Sequence, residues 1–220
     1  MVEVKRLIVL PGDFIKERKG EKLGKNVYVE GSNVFSRVIG ILKLSENEIE
    51  VYPLSGKYMP MVGDKVVGIV KEVEVSGWLI DINSPYPAFL PLSEGVESFI
   101  DSRSDLSKFF GTNDIIFCKI SRVTKNKIVQ VSMRDFLARK LYSGIIIKVS
   151  PSKIPRIIGK AGSMINLIKN KTNCDIYTGQ NGVIWIRGDE KAKAIEAILT
   201  IEKESHITGL TEKIEKLLSG

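Results

Sequence analysis

The 220-residue sequence predicts a multidomain protein of β and α+β class, β-rich at its front and mixed helix and strand at its back. Three observations carry this. The chain is longer than one typical domain while its apolar content is ordinary for a globular protein, so two or three compact cores are expected. Up to about residue 135, short β-type runs alternate with glycine and polar turns. From Gly144 onward, apolar residues recur at helical spacing between short strand-like runs.

The first segment, residues 1–61, has β-type runs at 7–10, 27–29, 34–42 and 49–53. Leu10-Pro11-Gly12-Asp13 and Glu30-Gly31-Ser32-Asn33 supply the turn chemistry of a small antiparallel unit. The second, residues 62–140, opens at Val62-Gly63-Asp64. It holds strands through Val75, at 78–82 and around 88–92, then a looser stretch at 94–113, then strands at 115–124 and 128–133 joined by the turn Lys125-Asn126-Lys127. Five strands in that order fit an OB barrel. The third, residues 141–220, reads strand, helix, helix, strand, strand, helix. Ile145 opens its first strand, and Ser152 stands where a helix cap would, before Ile154, Ile157 and Ile158. Met164, Ile165, Leu167 and Ile168 form the apolar face of a second helix. Asp189 stands before a third, with Ala192, Ile195, Ile198 and Leu199 expected inward, and a last short helix is expected at 211–218.

The net charge of +7 favours anionic partners, but its distribution says more. No acid occurs between Asp114 and Asp135, where Lys119, Arg122, Lys125, Lys127 and Arg134 fall. A second acid-free run, residues 144–174, holds Lys148, Lys153, Arg156, Lys160, Lys169 and Lys171. Such clustering makes a local field for phosphates. Lys119, Arg122, Lys125 and Lys127 are therefore candidate RNA contacts, against the alternative of a solvated hairpin tip.

Several function classes drop out. No apolar run is long enough for a membrane span and Met1 to Arg6 lack a secretory layout, so a cytoplasmic protein is expected. Cys118 and Cys174 lie far apart in apolar runs and are expected to be buried, reduced thiols, without a metal or other cofactor. His206, the single histidine, is expected at the surface. Carboxylates are scattered, with no metal cluster, histidine pair or phosphate loop of the Walker type, so no catalytic residues are assigned. Trp78, Trp185, Tyr177 and Phe89 lie within apolar strands and are expected in cores rather than stacked on bases.

The sequence holds two G-x-x-G loops. Gly179-Gln180-Asn181-Gly182 lies between β runs and reads as a hairpin turn whose glycine and asparagine supply positive φ. Gly159-Lys160-Ala161-Gly162 lies between two apolar-faced helices, where glycines let the backbone approach a ligand and the N–H groups opening the next helix attract a phosphate. Gly159, Lys160, Ala161 and Gly162, with Lys153 and Arg156 beside them, are thus candidate RNA contacts; the competing reading is a plain linker between packed helices.

Residues 157–165, set in a βααββα order, resemble the KH module, whose loop clamps the backbone of roughly four nucleotides. Residues 62–135 resemble the RNA-binding OB domain of ribosomal S-one type, through Val62-Gly63-Asp64, Gly77-Trp78-Leu79-Ile80-Asp81-Ile82, Phe89-Leu90-Pro91-Leu92-Ser93 and Val131-Ser132-Met133-Arg134. Ser76, Leu79 and Pro91 stand where that family has stacking aromatics and a histidine. The module order resembles the ribosomal RNA processing protein four family, the KH-containing cap subunits of the archaeal exosome. That resemblance implies a non-catalytic subunit that binds single-stranded RNA and guides it into a phosphorolytic 3'-to-5' RNA-degrading ring. It also implies a trimeric cap on a hexameric ring of RNase PH-like subunits, docked through the N-terminal segment. The alternative is a stand-alone or ribosome-associated RNA-binding protein in translation.

Overall fold

The computed structural model describes residues 7–24, 26–45, 48–54, 56–96, 105–205 and 209–219. It divides into two compact units, one ending at Gly56 and the other running from Lys57. Met1 to Arg6 and His206 lie outside the described residues.

The first unit contains β1 (Leu7–Val9), β2 (Phe14–Glu17), β3 (Lys22–Leu23), β4 (Val27–Glu30), β5 (Asn33–Ser36), β6 (Gly40–Leu44) and β7 (Glu48–Pro53). They form two sheets, ordered β1-β6-β7-β3 and β2-β5-β4, around Val9, Val27, Val34, Leu42, Ile49 and Val51. The apolar run at 34–42 is two strands rather than one. Ser36 is buried, and its Oγ donates to the Val38 carbonyl at 2.7 Å and accepts from the Val38 N–H at 3.3 Å, which turns the chain. β2 and β3 escape a hydrophobicity reading because Lys16, Glu17 and Lys22 occupy much of them. Between them Glu21 accepts from Lys16 Nζ at 2.5 Å and from the Lys19 N–H at 2.7 Å. Those bonds, the lysine first, hold its carboxyl down to about 2.

The second unit opens with the barrel: β8 (Lys65–Glu74), β9 (Gly77–Asp81), β10 (Ala88–Pro91), the short α1 (Leu92–Gly95), β11 (Ile115–Val123) and β12 (Val129–Ser132). Antiparallel neighbours run β10-β9-β8-β11. β12 pairs with both β11 and, in parallel, β10, which closes the barrel. The five expected strands are these. Inward positions alternate along each strand, so Val66, Val70, Trp78, Ile80, Leu90, Ile116, Ile120 and Val131 fill the interior. Trp78 meets Phe110 edge to face at 5.1 Å. A further strand, β13 (Arg139–Leu141), adds to the outer edge of β11.

The rest of the unit is β14 (Ile145–Lys148), a 3-10 turn (Pro151–Lys153), α2 (Ile154–Ile158), α3 (Ser163–Thr172), β15 (Asp175–Thr178), β16 (Val183–Arg187), α4 (Lys191–Lys203) and α5 (Leu210–Ser219). The sheet order β14-β16-β15 backs helices packed on Ile154, Ile157, Ile168, Ile176, Ile184 and Ile198. Two helix starts differ from expectation. α2 is entered through the Pro151 turn, with Lys153 rather than Ser152 at the cap position, and α4 begins after Glu190 rather than Asp189, with no side-chain cap bond. The buried face of α4 is accordingly Ala194, Ala197, Ile198 and Ile201, while Ala192 and Leu199 are exposed.

The second glycine loop is more than the hairpin turn its sequence suggests. It does turn β15 into β16, with Gly179 N–H on the Val183 carbonyl at 2.9 Å, but Gly182 alone of its residues has positive φ. Asn181 is fully buried against the barrel. Its Nδ2 donates to the carbonyls of Val67 and Ile82 at 2.8 and 2.9 Å. Gln180 N–H donates to the Lys65 carbonyl, and Lys65 N–H to Gln180 Oε1, each at 2.8 Å. Gly179 is needed for closeness: a Cβ there would lie 2.7 Å from Val67 N. Val67, Phe117, Leu141, Val183 and Trp185 pack in the same seam. Asn181 therefore bonds barrel and helical part together.

Candidate nucleic-acid interface

Strand alternation that sends Ile80 and Leu90 inward sends their neighbours out. The registers place Glu72, Leu79, Phe89, Gln130 and Arg122 in one outward row across β8, β9, β10, β12 and β11. Phe89 is only half-buried, on the barrel's outer face. The core assignment holds for Trp78 and Trp185, whereas Tyr177 is half-buried in the seam, its ring 5.1 Å from Phe117. The period-2 pattern of β9 and β10 was the signal that could have separated Phe89 from Trp78.

At the end of β11 the chain reverses through Lys125-Asn126-Lys127. Thr124 organises the turn: its carbonyl accepts from Lys127 N–H, and its Oγ1 from Ile128 N–H, both at 3.0 Å. Lys127 takes a left-handed φ of 64°. Arg122, Lys125 and Lys127 are exposed, and none of the ion pairs among the described residues involves them. Lys119 is placed differently. Its Nζ lies 3.6 Å from Asp135, which also pairs with Lys65 at 3.2 Å. The Leu137 N–H, followed by these two lysines, holds the Asp135 carboxyl below the usual range. Arg134 is spent on bracing, donating to the Ser93 carbonyl at 3.1 and 2.6 Å.

In the helical part, Gly159 ends α2 with φ 76° and ψ 176°, Ala161 is left-handed at φ 52°, and Gly162 follows at φ 80°. A Cβ on Gly159 would sit 2.8 Å from both Cβ and N of Met164, so space as well as φ requires glycine. Lys160 and Ala161 are exposed, and α3 starts at Ser163 with no side-chain cap on its first N–H groups. Such a terminus offers donors and a positive dipole end to an anion. Arg156 is exposed on α2 and Lys153 half-buried in the turn before it. Lys169 lies over Tyr177 at 5.8 Å, its pKa lowered by burial.

Thus two groups of sequence-predicted residues are gathered at two places of one compact unit: 122, 125 and 127 at the barrel turn, 156 and 159–162 at the helix-to-helix loop. Lys119 is drawn toward the seam. Among the described residues there is no cluster of metal-ligating side chains and no helix long and apolar enough to cross a membrane. Cys118 and Cys174 are free and buried, and burial pushes the Cys118 thiol up to about 12.

An OB barrel joined to a βααββα unit with an open glycine loop, both carrying exposed cations, defines a protein of the nucleic-acid-binding class. Comparison with known proteins narrows this. Residues 6–55 match the family described as the exosome RNA-binding protein RRP4 N-terminal domain, 57–122 the RRP4 S1 domain and 144–192 the KH domain. The exosome complex component Rrp4 of Pyrococcus abyssi is 43% identical over 219 residues, covering 97% of this chain and 82% of its own. That of Methanothermus fervidus is 39% identical over 218, covering 93% and 97%. A crystal structure provisionally described as an exosome complex RNA-binding protein superimposes with TM-score 0.68 at 30% identity, covering 74% of this chain and 96% of its own. The chain belongs to the Rrp4 family of exosome complex components.

Proposed function

We propose that this chain is a non-catalytic, RNA-binding cap subunit of a cytoplasmic exosome. It takes up single-stranded RNA and guides it into a phosphorolytic, 3'-to-5' degrading ring of six RNase PH-like subunits, on which three copies form the cap. Residues 1–61 serve as the docking domain, 62–140 as the barrel that receives RNA, and 141–220 as the KH domain. Lys119, Arg122, Lys125 and Lys127 meet phosphates at the barrel, and Lys153, Arg156, Gly159, Lys160, Ala161 and Gly162 meet them at the helix junction. Catalysis belongs to the ring.

The observation that supports this most is the Gly159–Gly162 loop, open at Lys160 and Ala161 and leading into the uncapped start of α3. The test replaces Lys160 and Ala161 together by Asp. Both glycines remain, and Asp accepts a left-handed φ more readily than Ala, so the melting temperature should stay near wild type. Two carboxylates at the phosphate position should weaken single-stranded RNA binding at least tenfold. Unchanged affinity, both free and in the assembled complex, would make the loop architectural. Affinity capture of the tagged chain should bring down the ring subunits; recovery of ribosomal subunits alone would favour a role in translation.

A further inference from the structure

The turn between β12 and β13 carries an aromatic ring that the barrel and KH reading leaves without a role. Phe136 is 84% exposed, yet it stands in a turn held by several bonds. Asp135 accepts from the Leu137 N–H at 3.1 Å, and its carbonyl from the Ala138 N–H at 2.8 Å. The same Asp135 carboxylate grips Lys65 and Lys119. A turn so tied holds the Phe136 ring out into solvent rather than letting it fold back on the apolar seam. The seam core is built from Val67, Phe117, Leu141, Val183 and Trp185 without it.

Its surroundings are cationic. The Lys65 Nζ lies 5.2 Å from the ring centroid, Lys119 reaches the same carboxylate from the neighbouring strand, and Arg139, three residues on, is exposed and lies over the Tyr177 ring at 5.5 Å. Asp135 is the single acid within this group. The place is also fixed relative to the KH part, because the Lys65 carbonyl accepts from the Gln180 N–H of the docked loop and the Lys65 N–H donates to the Gln180 side chain. A solvent-facing ring with an ammonium group beside it and further cations close by is the arrangement that stacks a base while its flanking phosphates are neutralised.

We propose that Phe136 is a stacking platform for one base of single-stranded RNA at the seam between barrel and KH domain, with Lys65, Lys119 and Arg139 receiving the adjoining phosphates. This rests on the reading of the chain as an RNA-binding subunit. It supplies, at a different place, the stacking function that Ser76, Leu79 and Pro91 cannot perform on the outer strands.

The structure provides its own reporter background, since Trp78 and Trp185 are 0% and 1% exposed. A tryptophan introduced by Phe136→Trp in the full chain would be the solvent-facing one. Titration with a fluorescent single-stranded RNA should show Phe136→Ala binding on the order of five- to a hundredfold more weakly than wild type. Its salt dependence should be unchanged, because no charge is removed. Phe136→Trp should keep wild-type affinity, and RNA should quench its emission. Wild-type binding with an unaffected Phe136→Ala, or an indole emission indifferent to saturating RNA, would overturn the platform alone. So would unchanged RNA affinity combined with lost capture of ring subunits, which would make Phe136 a protein contact. Failure of the wild-type chain to bind RNA would overturn the functional reading as well.

Discussion

Asn181 satisfies two barrel carbonyls from inside the seam, Val67 and Ile82, while its own carbonyl accepts from Asn83 Nδ2 at 3.0 Å. Truncation by Asn181→Ala leaves both carbonyls buried and unpaired, at about 1–3 kcal/mol each. Chemical denaturation should therefore show a loss of roughly 2–5 kcal/mol, large for a residue in a hairpin tip. Asp135 gives a milder and pH-coded effect. Its carboxyl is held below the ordinary value of 3.8 by Leu137 N–H, Lys65 and Lys119, so its stabilisation is fully present above that value and is lost as pH falls through the lower, folded one. The melting-temperature difference between wild type and Asp135→Asn should be constant from pH 5 to 7 and close under strong acid. A difference that widened on acidification would contradict the assignment. Cys118, buried with its thiol pushed up to about 12, should resist thiol reagents at pH 8 until the protein unfolds.

At the scale of elements, the β11–β12 turn is the one place in the barrel where three named cations stand without ion-pair partners among the described residues. Changing Arg122, Lys125 and Lys127 to Ala should reduce the slope of log affinity against log salt by about 2, at roughly 0.7 per phosphate lost from a single strand. Lys119→Ala alone should change it less, since Asp135 already holds that ammonium. This difference between four lysines and arginines of one acid-free run was invisible in the sequence, because the balancing acid lies just beyond the run and returns through a turn. The barrel strands were legible because β-type apolar runs bounded by turn residues mark them, and the glycine loop because helical spacing flanks it on both sides. β2 and β3 were not, since local charge pairing rather than apolar alternation builds them. The phase of α4 is hard to see in sequence because two of its four buried residues are alanines, which carry little hydrophobic signal. Asn181 looked like turn chemistry since nothing local distinguishes an asparagine that makes a turn from one that docks on a distant strand.

For the whole molecule, the barrel and KH domain share the Asn181 bonds and the Phe117–Trp185 seam, and they form one compact unit from Lys57 onward. They should unfold together: tryptophan emission, which follows Trp78 in the barrel core and Trp185 in the seam, should change in a single transition coincident with far-ultraviolet helix loss. Two separated transitions would show that the seam does not couple the two. The pure chain should leave RNA intact in Mg²⁺, Mn²⁺ or phosphate, given the lack of any carboxylate cluster among the described residues. Shortening of RNA that one carboxylate substitution abolishes would defeat that expectation.

Hairpin tips are ordinarily where a chain accepts extra residues, tags or a reporter peptide with least harm. The tip at residues 179–182 is an exception created by its docking. A single added residue there would displace Asn181 from the Val67 and Ile82 carbonyls and carry Gly179 off the strand it touches. Anyone placing an epitope or a dye in this protein should leave that hairpin untouched and use the exposed β4–β5 turn at Gly31 and Ser32 instead.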